Sequence, residues 1–181
     1  AAILRLARQH GTRVWSGSSL PFTPALSEAR SAFASVRLGQ VFGALGKAPA
    51  GDSLIWYGVH TFEMLQAIMG PGARTVFARE TATETLAIVD YGQDRQGVVE
   101  CIPGCGVYGG RIHGLDKAGA PRVDIFRLIP SYAALLRAIV PFFQGGPAPV
   151  SLETTFEGLA MMVAARRSIQ SDRPESVPPP P

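Results

Sequence analysis

The sequence is organised around residues 52–70, which read Asp52-Ser-Leu-Ile-Trp56-Tyr57-Gly58-Val59-His60-Thr-Phe62-Glu63-Met-Leu65-Gln-Ala-Ile68-Met69-Gly70. From Gly58 onward, apolar residues recur at helical spacing, and a glycine ends the pattern. His60 and Glu63 lie one turn apart at the start of this pattern, off its apolar stripe. A histidine and a carboxylate at this spacing, preceded by Trp56 and Tyr57, predict the wall of a polar pocket. The apolar stripe of the predicted helix consists of Val59, Phe62, Leu65, Ile68 and Met69.

The residues before this stretch predict two helices and two strands. The expected helices cover residues 2–10 and 24–34, the second with Thr23 as its N-cap, and the expected strands cover residues 12–16 and 38–45. A helix, a short glycine link and a strand are typical of the end of an αβ unit. Because the chain begins at Ala1 directly in a helical pattern, we expect it to be part of a longer protein.

After Gly70 the pattern changes from helical to β-rich. Turn signals at residues 91–94 and 116–119 are typical of hairpin connections between adjacent strands. The segment therefore predicts an antiparallel meander, which buries one face and requires cover or a partner chain on the other. The expected strands cover residues 74–79, 83–91, 97–102, 107–113 and 122–126.

The last third of the chain predicts two helices and a mobile tail. One helix begins near Pro130, is kinked or ended by Pro141, and carries an inward apolar face. Ser151 caps the other, and residues from 171 onward are polar and proline-rich, so we expect them to lie outside the fold. The expected apolar faces are Tyr132, Leu135, Leu136, Ile139, Val140 and Phe143 in the first helix, and Leu152, Phe156, Leu159, Met162 and Val163 in the second.

Composition excludes several classes of function. With 181 residues, 46% hydrophobic and 17% charged, the chain has the composition of one compact domain. No apolar run is long enough to span a bilayer, and the first segment contains arginines and no small-residue cleavage site, so it is not interpreted as a secretory signal. We therefore expect a cytoplasmic protein that does not bind membranes. The net charge of +3 comes from scattered basic residues, which argues against nucleic-acid binding. Cys101 and Cys105 lack further ligands for a metal and are predicted to be buried thiols.

Gly104, Gly106, Gly109 and Gly110 form a glycine-rich segment, a feature of dinucleotide-binding turns. Such a turn requires a helix immediately after it, because the helix N-terminus holds the pyrophosphate. These glycines fall inside the β-rich region, and no helical pattern follows them. They are therefore not interpreted as a nucleotide site.

The order of these segments resembles the glucose-fructose oxidoreductase / inositol dehydrogenase (Gfo/Idh/MocA) family. Residues 58–65 followed by Met69-Gly70 are similar to the Gly-x-His-x-x-Asp pattern of that family. The segment Ser19-Leu20-Pro21-Phe22-Thr23-Pro24 resembles its serine-x-Arg-Phe-x-Pro segment, and residues 150–168 resemble its last helix. The order and spacing of the three segments carry the resemblance.

The resemblance implies an α+β fold with a mostly antiparallel sheet and helices packed on one face, preceded by a short αβ remnant of a nucleotide-binding domain. The implied boundaries are residues 1–18 for the remnant, 19–170 for the substrate and oligomerisation domain and 171–181 for the tail. The implied activity of the full-length protein is NAD(P)-dependent oxidation or reduction of a small hydroxyl or carbonyl compound. NAD or NADP would be bound mainly by the missing N-terminal domain, so the chain alone is expected to be inactive. A homo-oligomer formed through the sheet face is also implied.

His60 matches the family histidine that contacts the substrate hydroxyl and handles its proton, a task suited to a side chain that titrates near neutrality. Trp56, Tyr57 and Glu63 are the expected substrate-binding residues. Trp56 stands where many members have an aspartate, and Pro21 stands where they have an arginine. The alternative function is a non-catalytic binding or assembly module of the same fold.

Overall fold

The computed structural model describes residues 2–180, so Ala1 and Pro181, which belong to the predicted ranges 1–18 and 171–181, lie outside the described residues. The described chain is α+β, as expected, with one seven-stranded sheet. The helices are α1 (Ala2–Gln9), α2 (Pro24–Ser31), α3 (Ser53–Trp56), α4 (Val59–Met69), α5 (Tyr132–Phe143) and α6 (Leu152–Ser171), and a 3₁₀ turn covers Leu20–Phe22. The strands are β1 (Phe33–Leu45), β2 (Thr75–Glu80), β3 (Thr85–Gly92), β4 (Arg95–Pro103), β5 (Tyr108–Asp116), β6 (Pro121–Leu128) and β7 (Glu175–Ser176).

The sheet departs from the predicted meander at its centre. The strand order is β6-β5-β1-β4-β3-β2-β7, so β1 lies between β4 and β5 and pairs with β4 in parallel, while the other pairs are antiparallel. Residues 104–107 cross from β4 to β5 over β1, a distance of about 10 Å that four residues can span. The expectation of a simple meander is wrong because alternation shows which residues face the core and does not show which strand lies beside which. No helix follows the glycines of residues 104–109, in agreement with their interpretation above.

Helix α4 covers the middle of one face of the sheet and forms the centre of the core. Phe62, Leu65 and Ile68 of its predicted stripe are fully buried, and Met64 beside them is buried as well. The helix packs on β1 and β4 and meets α6 along its other side. The prediction of helix 59–69 and of its end at Gly70, which has a φ of +71°, is confirmed.

Two glycines in the sheet allow this close approach of α4. A Cβ atom on Gly97 of β4 would lie 2.6 Å from Cδ2 of Leu65, and one on Gly39 of β1 would lie 3.0 Å from Cγ2 of Ile68. Real Cβ atoms do not approach other carbons to 2.6 Å, so any larger residue at 97 displaces the helix or the strand. The glycines are therefore required by packing.

Substitution of Gly97 tests this packing. Gly97→Ala is expected to lower the free energy of unfolding by about 1–3 kcal/mol, since the added methyl group overpacks the interface with Leu65. Gly106→Ala is the matched control, because a Cβ atom there has no neighbour within 4 Å. Urea unfolding measures both values. Equal free energies of unfolding for the two variants would contradict the role assigned to Gly97.

Helix α6 is held to the sheet by buried polar groups. Its cap is confirmed, since Ser151 Oγ accepts the backbone N–H of Thr154 at 3.1 Å. The buried Glu157 carboxylate accepts the N–H of Gly72 with both oxygens, at 3.1 and 3.0 Å. Ser168 Oγ accepts the N–H of Ala78 at 2.9 Å, which satisfies a donor on the outer edge of β2. Backbone donors that would otherwise be unpaired are thus occupied by this helix.

The buried face of α6 differs from the predicted stripe. Met162 is buried as predicted, but Leu159 and Val163 are exposed. Small residues let the helix approach the sheet closely, so hydrophobicity alone selects the wrong face. The buried residues of α6 are Glu157, Gly158, Ala160, Met161, Met162, Ala164, Ala165 and Ser168.

Helix α5 also differs from its prediction. None of its residues is buried, and Tyr132 and Phe143 are each 72% exposed, so the predicted inward face is not inward in the described residues. Pro141 lies inside the helix instead of ending it. The guanidinium of Arg13 donates to the carbonyl oxygens of Phe142 at 2.8 Å and Gly146 at 3.0 Å, which fixes residues 12–16 to the C-terminal end of α5.

Three further predictions are corrected at element ends. Residues 12–16 form no strand, because no described strand lies beside them to accept their hydrogen bonds. Helix α2 ends at Ser31, three residues before the predicted end, since Phe33 enters the sheet. The tail is not entirely outside the fold: β7 pairs with the edge strand β2, and the N–H of Val177 donates to Arg74 O at 2.8 Å. Within residues 2–180, no helix has both the length and the apolar character needed to cross a membrane.

Candidate active site

The first turn of α4 forms one wall of an open cavity of about 470 Å³. The opposite walls come from the segment before the 3₁₀ turn, the start of β5 and the start of α5. This volume lies in the range of pockets that bind small molecules. The lining residues are Ser16, Gly17, Ser18, Ser19, Leu20, Val59, His60, Glu63, Tyr108, Pro130, Tyr132 and Leu135.

His60 is placed by its position in the first turn of α4. Its backbone N–H bonds to Tyr57 O at 3.3 Å, and its side chain is half-buried in the cavity wall. The Nδ1 atom is buried and has no hydrogen-bond partner within residues 2–180. A buried polar atom normally has a partner, so this imidazole is unusual in leaving one nitrogen unsatisfied. Because Nδ1 has almost no accessible surface, a molecule in the cavity reaches the imidazole through its other ring atoms.

Glu63 holds in place the segment 16–19, which forms the cavity wall opposite the first turn of α4. Its Oε2 accepts the backbone N–H of Ser18 at 2.9 Å, and Thr155 Oγ1 donates to the carbonyl of neighbouring Ser16 at 3.3 Å. Both bonds hold the irregular segment 16–19 against α4 and α6. Among the described residues, Glu63 and His60 form no ion pair. The visible role of the carboxylate is thus to position this segment, with one oxygen left for other contacts.

Tyr108 closes the cavity from the sheet side, and a glycine makes room for it. A Cβ atom on Gly43 of the neighbouring strand would lie 2.4 Å from Cδ1 of Tyr108 and 2.7 Å from Thr61 Oγ1. Burial raises the pKa of Tyr108 above its usual value, and the nearby Cys101 and Cys105 thiols add to this effect. The phenol therefore stays protonated at neutral pH and can donate a hydrogen bond into the cavity.

The two thiols near Tyr108 have different environments. Cys101 is buried as predicted, and that burial raises the pKa of its thiol to about 11, with the nearby Thr61 hydroxyl acting in the opposite direction. Cys105 is only half-buried, and its thiol donates to Val107 O at 3.3 Å. No group of three His, Cys, Asp or Glu side chains in residues 2–180 is placed to hold a metal ion.

Thiol labelling tests this arrangement. At pH 8 a thiol with a pKa of about 11 is ionised to about one part in a thousand, and only the thiolate reacts, so Cys101 is expected to resist iodoacetamide while Cys105 is modified. Mass spectrometry of Cys101→Ser and Cys105→Ser locates the label. Cys101 should react only after urea unfolding. Rapid labelling of Cys101 in the folded protein would contradict its burial next to Tyr108.

The structure brings together two of the four predicted site residues. His60 and Glu63 line the same cavity, whereas Trp56 and Tyr57 do not. Trp56 is 54% exposed, and the Tyr57 ring lies over Gly46, where a Cβ atom would be 2.9 Å from its Cε1. Substrate binding by all four residues remains a prediction.

Several residues of this wall were not predicted from sequence patterns. Tyr108 reaches the cavity only because β1 separates β4 from β5, and no local pattern shows that insertion. Tyr132 was expected to face the core and instead lies at the cavity rim. Ser18 lies just before, and Ser19 at the start of, the segment that resembles the serine-x-Arg-Phe-x-Pro pattern. One sequence feature did point toward Ser18. The Glu63 carboxylate needs a hydrogen-bond donor, and an irregular segment nearby can provide a free backbone N–H.

Comparison with known proteins identifies the fold. Neither a protein-family model nor a curated protein sequence matches this chain. Among solved structures, a proposed myo-inositol dehydrogenase from Sinorhizobium meliloti 1021 is similar, with a TM-score of 0.74 and 16% identity over 98% of this chain and 69% of that chain. GenD2 from gentamicin A biosynthesis, solved in complex with NAD, has a TM-score of 0.74 and 15% identity over 98% of this chain and 67% of that one.

This chain has the Gfo/Idh/MocA fold. An aldose-aldose oxidoreductase from Caulobacter crescentus, complexed with glycerol, gives a TM-score of 0.71 and 14% identity over 97% of this chain and 67% of that chain. The expected α+β fold is confirmed. The TM-scores of these three structures establish the Gfo/Idh/MocA fold. Their sequence identities are low, so the chemistry has to be argued from the site itself.

Proposed function

We propose that this chain supplies the substrate side of an NAD(P)-dependent oxidoreductase that acts on a hydroxyl or carbonyl group of a small molecule. The observation that carries the proposal is His60, which lines an open cavity and has a buried nitrogen without a partner. Solved proteins with this fold include a proposed myo-inositol dehydrogenase, an aldose-aldose oxidoreductase and GenD2 with bound NAD. These neighbours support an oxidoreductase over the alternative of a non-catalytic binding module.

The described residues do not fit the dinucleotide pyrophosphate. The glycines at 104, 106 and 109 lie in the β4–β5 connection and in β5, without a following helix, so a separate nucleotide-binding domain is proposed to hold the cofactor. The cavity of about 470 Å³ fits the substrate side of the site. When bound, NAD(P)⁺ would supply the hydride acceptor for the carbon that bears the hydroxyl.

His60 is proposed to accept the hydroxyl proton as that carbon becomes a carbonyl, and to return it in the reverse direction. Histidine suits both directions because its neutral form accepts a proton and its cationic form donates one near neutral pH. The protonated Tyr108 phenol is proposed to donate a hydrogen bond to the same oxygen. Glu63 positions the opposite wall through Ser18. Trp56 and Tyr57 are proposed to contact the substrate from outside the described cavity.

Replacement of His60 tests the proposal in the full-length protein. His60→Gln keeps a hydrogen-bonding group but removes proton transfer, so kcat is expected to fall by about 10²–10⁴-fold with NAD(P)H affinity retained. His10→Gln, at the exposed end of α1, is the control and should leave kcat within about twofold.

Steady-state kinetics on inositols and aldoses measures these effects, and fluorescence titration with NADH and NADPH measures cofactor binding. Absence of binding to either nucleotide would favour the non-catalytic module. Unchanged kcat in His60→Gln would remove the histidine from the mechanism. The 181-residue chain by itself is expected to show no turnover, and NAD(P)-dependent oxidation by this chain alone would contradict the proposed need for a nucleotide-binding domain.

The face of the sheet opposite α4 is proposed to form a homo-oligomer. Val123 and Ile125 of β6 and Ile88 of β3 are exposed on this face, and Ile125 is 83% exposed. Ile125→Asp is expected to lower the mass measured by sedimentation, because a charge would have to be buried in the interface. Ile129→Asp is the control, since Ile129 has the same 83% exposure but lies beyond the end of β6. Equal masses for both variants would contradict an interface on this face.

A further inference from the structure

A second cavity lies on the other side of Glu63 and Val59 from the His60 cavity. It has a volume of about 130 Å³ and is enclosed by α4, the first half of α6 and the 3₁₀ turn. Most of its wall is apolar, formed by side chains that include Phe22, Phe62 and Met162. The function proposed for His60 does not use this space.

A buried amide borders this cavity. Gln66 is 6% exposed, and its Nε2 has no hydrogen-bond partner within residues 2–180. Its Oε1 lies 3.1 Å from the position that a Cβ atom on Gly158 would occupy, which places the amide against the α6 wall of the cavity. A buried donor without a partner destabilises the fold, because it has lost its hydrogen bonds to water without replacement. A half-turn about the last bond exchanges the two amide atoms, so the side chain can present its N–H to the cavity.

Glu63 supplies the complementary group. One of its oxygens is occupied by Ser18, and a carboxylate retains further acceptor sites after one such bond. Glu63 and Gln66 are three residues apart in α4, so their side chains are neighbours on the helix surface. A single polar group of a bound molecule can therefore contact both. The group that satisfies an acceptor and a donor at once is a hydroxyl.

The space between these groups is preserved by residues with little side-chain volume. Gly158 lies inside α6, where glycine is less favourable to a helix than alanine, and a side chain there would press on the amide of Gln66. Pro21 contributes a short ring to the opposite wall. An apolar cavity of about 150 Å³ in another protein stays dry and binds benzene, so a ring-sized body fits a space of this size.

We propose that this cavity binds a small molecule with a ring-sized apolar body and one hydroxyl group. The hydroxyl donates to the free oxygen of Glu63 and accepts from Nε2 of Gln66, and the apolar body packs among Phe22, Phe62 and Met162. The proposed ligand does not contact His60. A negative result for this site therefore leaves the proposed oxidoreductase activity untouched, and the reverse also holds.

The test compares phenol with toluene, which has the same shape but cannot form hydrogen bonds. Binding to the full chain is followed by ¹⁵N-resolved NMR, with the side-chain amide resonances of Gln66 as the local signal. Phenol is expected to shift these resonances saturably and to bind at least about fivefold more tightly than toluene, as one or two net hydrogen bonds require. Absence of saturable phenol binding, or equal affinity for the two compounds, would overturn the proposal.

Two variants locate the site. Gln66→Met preserves the length of the side chain and removes the amide, so the preference for phenol over toluene is expected to fall to about twofold or less while toluene still binds. Ala67→Trp places a large ring on an exposed lining position and is expected to weaken both ligands at least about tenfold, whereas Ala118→Trp, in the exposed β5–β6 hairpin, should not. A preference for phenol that survives Gln66→Met would assign the binding to another place.

Discussion

The close packing of α4 onto a glycine surface of the sheet is the constraint on which the rest of the structure depends. Gly39 and Gly97 remove side chains from two adjacent strands, and Leu65 and Ile68 occupy the space. A buried apolar helix in direct contact with strand backbones has little freedom to slide or rotate, since interiors pack at the density of organic crystals. The axis and rotation of α4 are therefore set by its C-terminal two-thirds, far from the candidate site.

That rotation decides what the first turn of α4 can do. The stripe of Phe62 and Leu65 faces the sheet, so His60 and Glu63 lie off the buried stripe and line the cavity at the N-terminal end of the helix. Glu63 then separates two cavities that differ in polarity and volume, and its bond to Ser18 holds the wall common to both. A single helix thus presents an imidazole to one space and a carboxylate and an amide to the other.

The sequence predicted those features that depend on local pattern. Helix α4, its glycine end, the Ser151 cap and five of the strands follow from periodicity and turn chemistry, which act over a few residues. The features that were missed depend on distant partners. The insertion of β1, the pairing of the tail with β2 and the place of Tyr108 each require knowledge of which strands are neighbours. Residues 12–16 show the converse case, because a strand-like pattern forms no strand without a partner.

Hydrophobicity was a poor guide for the last two helices for a related reason. Alanine, glycine and a buried glutamate line the core side of α6, since close approach and satisfied backbone donors outweigh side-chain area there. Helix α5 carries a clear apolar face that the described residues leave exposed. An apolar face predicts that something covers it and does not identify what. The same reasoning applies to the outer face of the sheet around Ile125.

The structure of the full-length protein with bound NADH tests the central claim most directly. If the chain forms the substrate side of an oxidoreductase, the nicotinamide ring must lie at the mouth of the cavity that holds His60, with its reactive face directed toward the imidazole and the Tyr108 hydroxyl. A nicotinamide ring bound away from this cavity, or a full-length protein in which another element fills the cavity, would contradict the account.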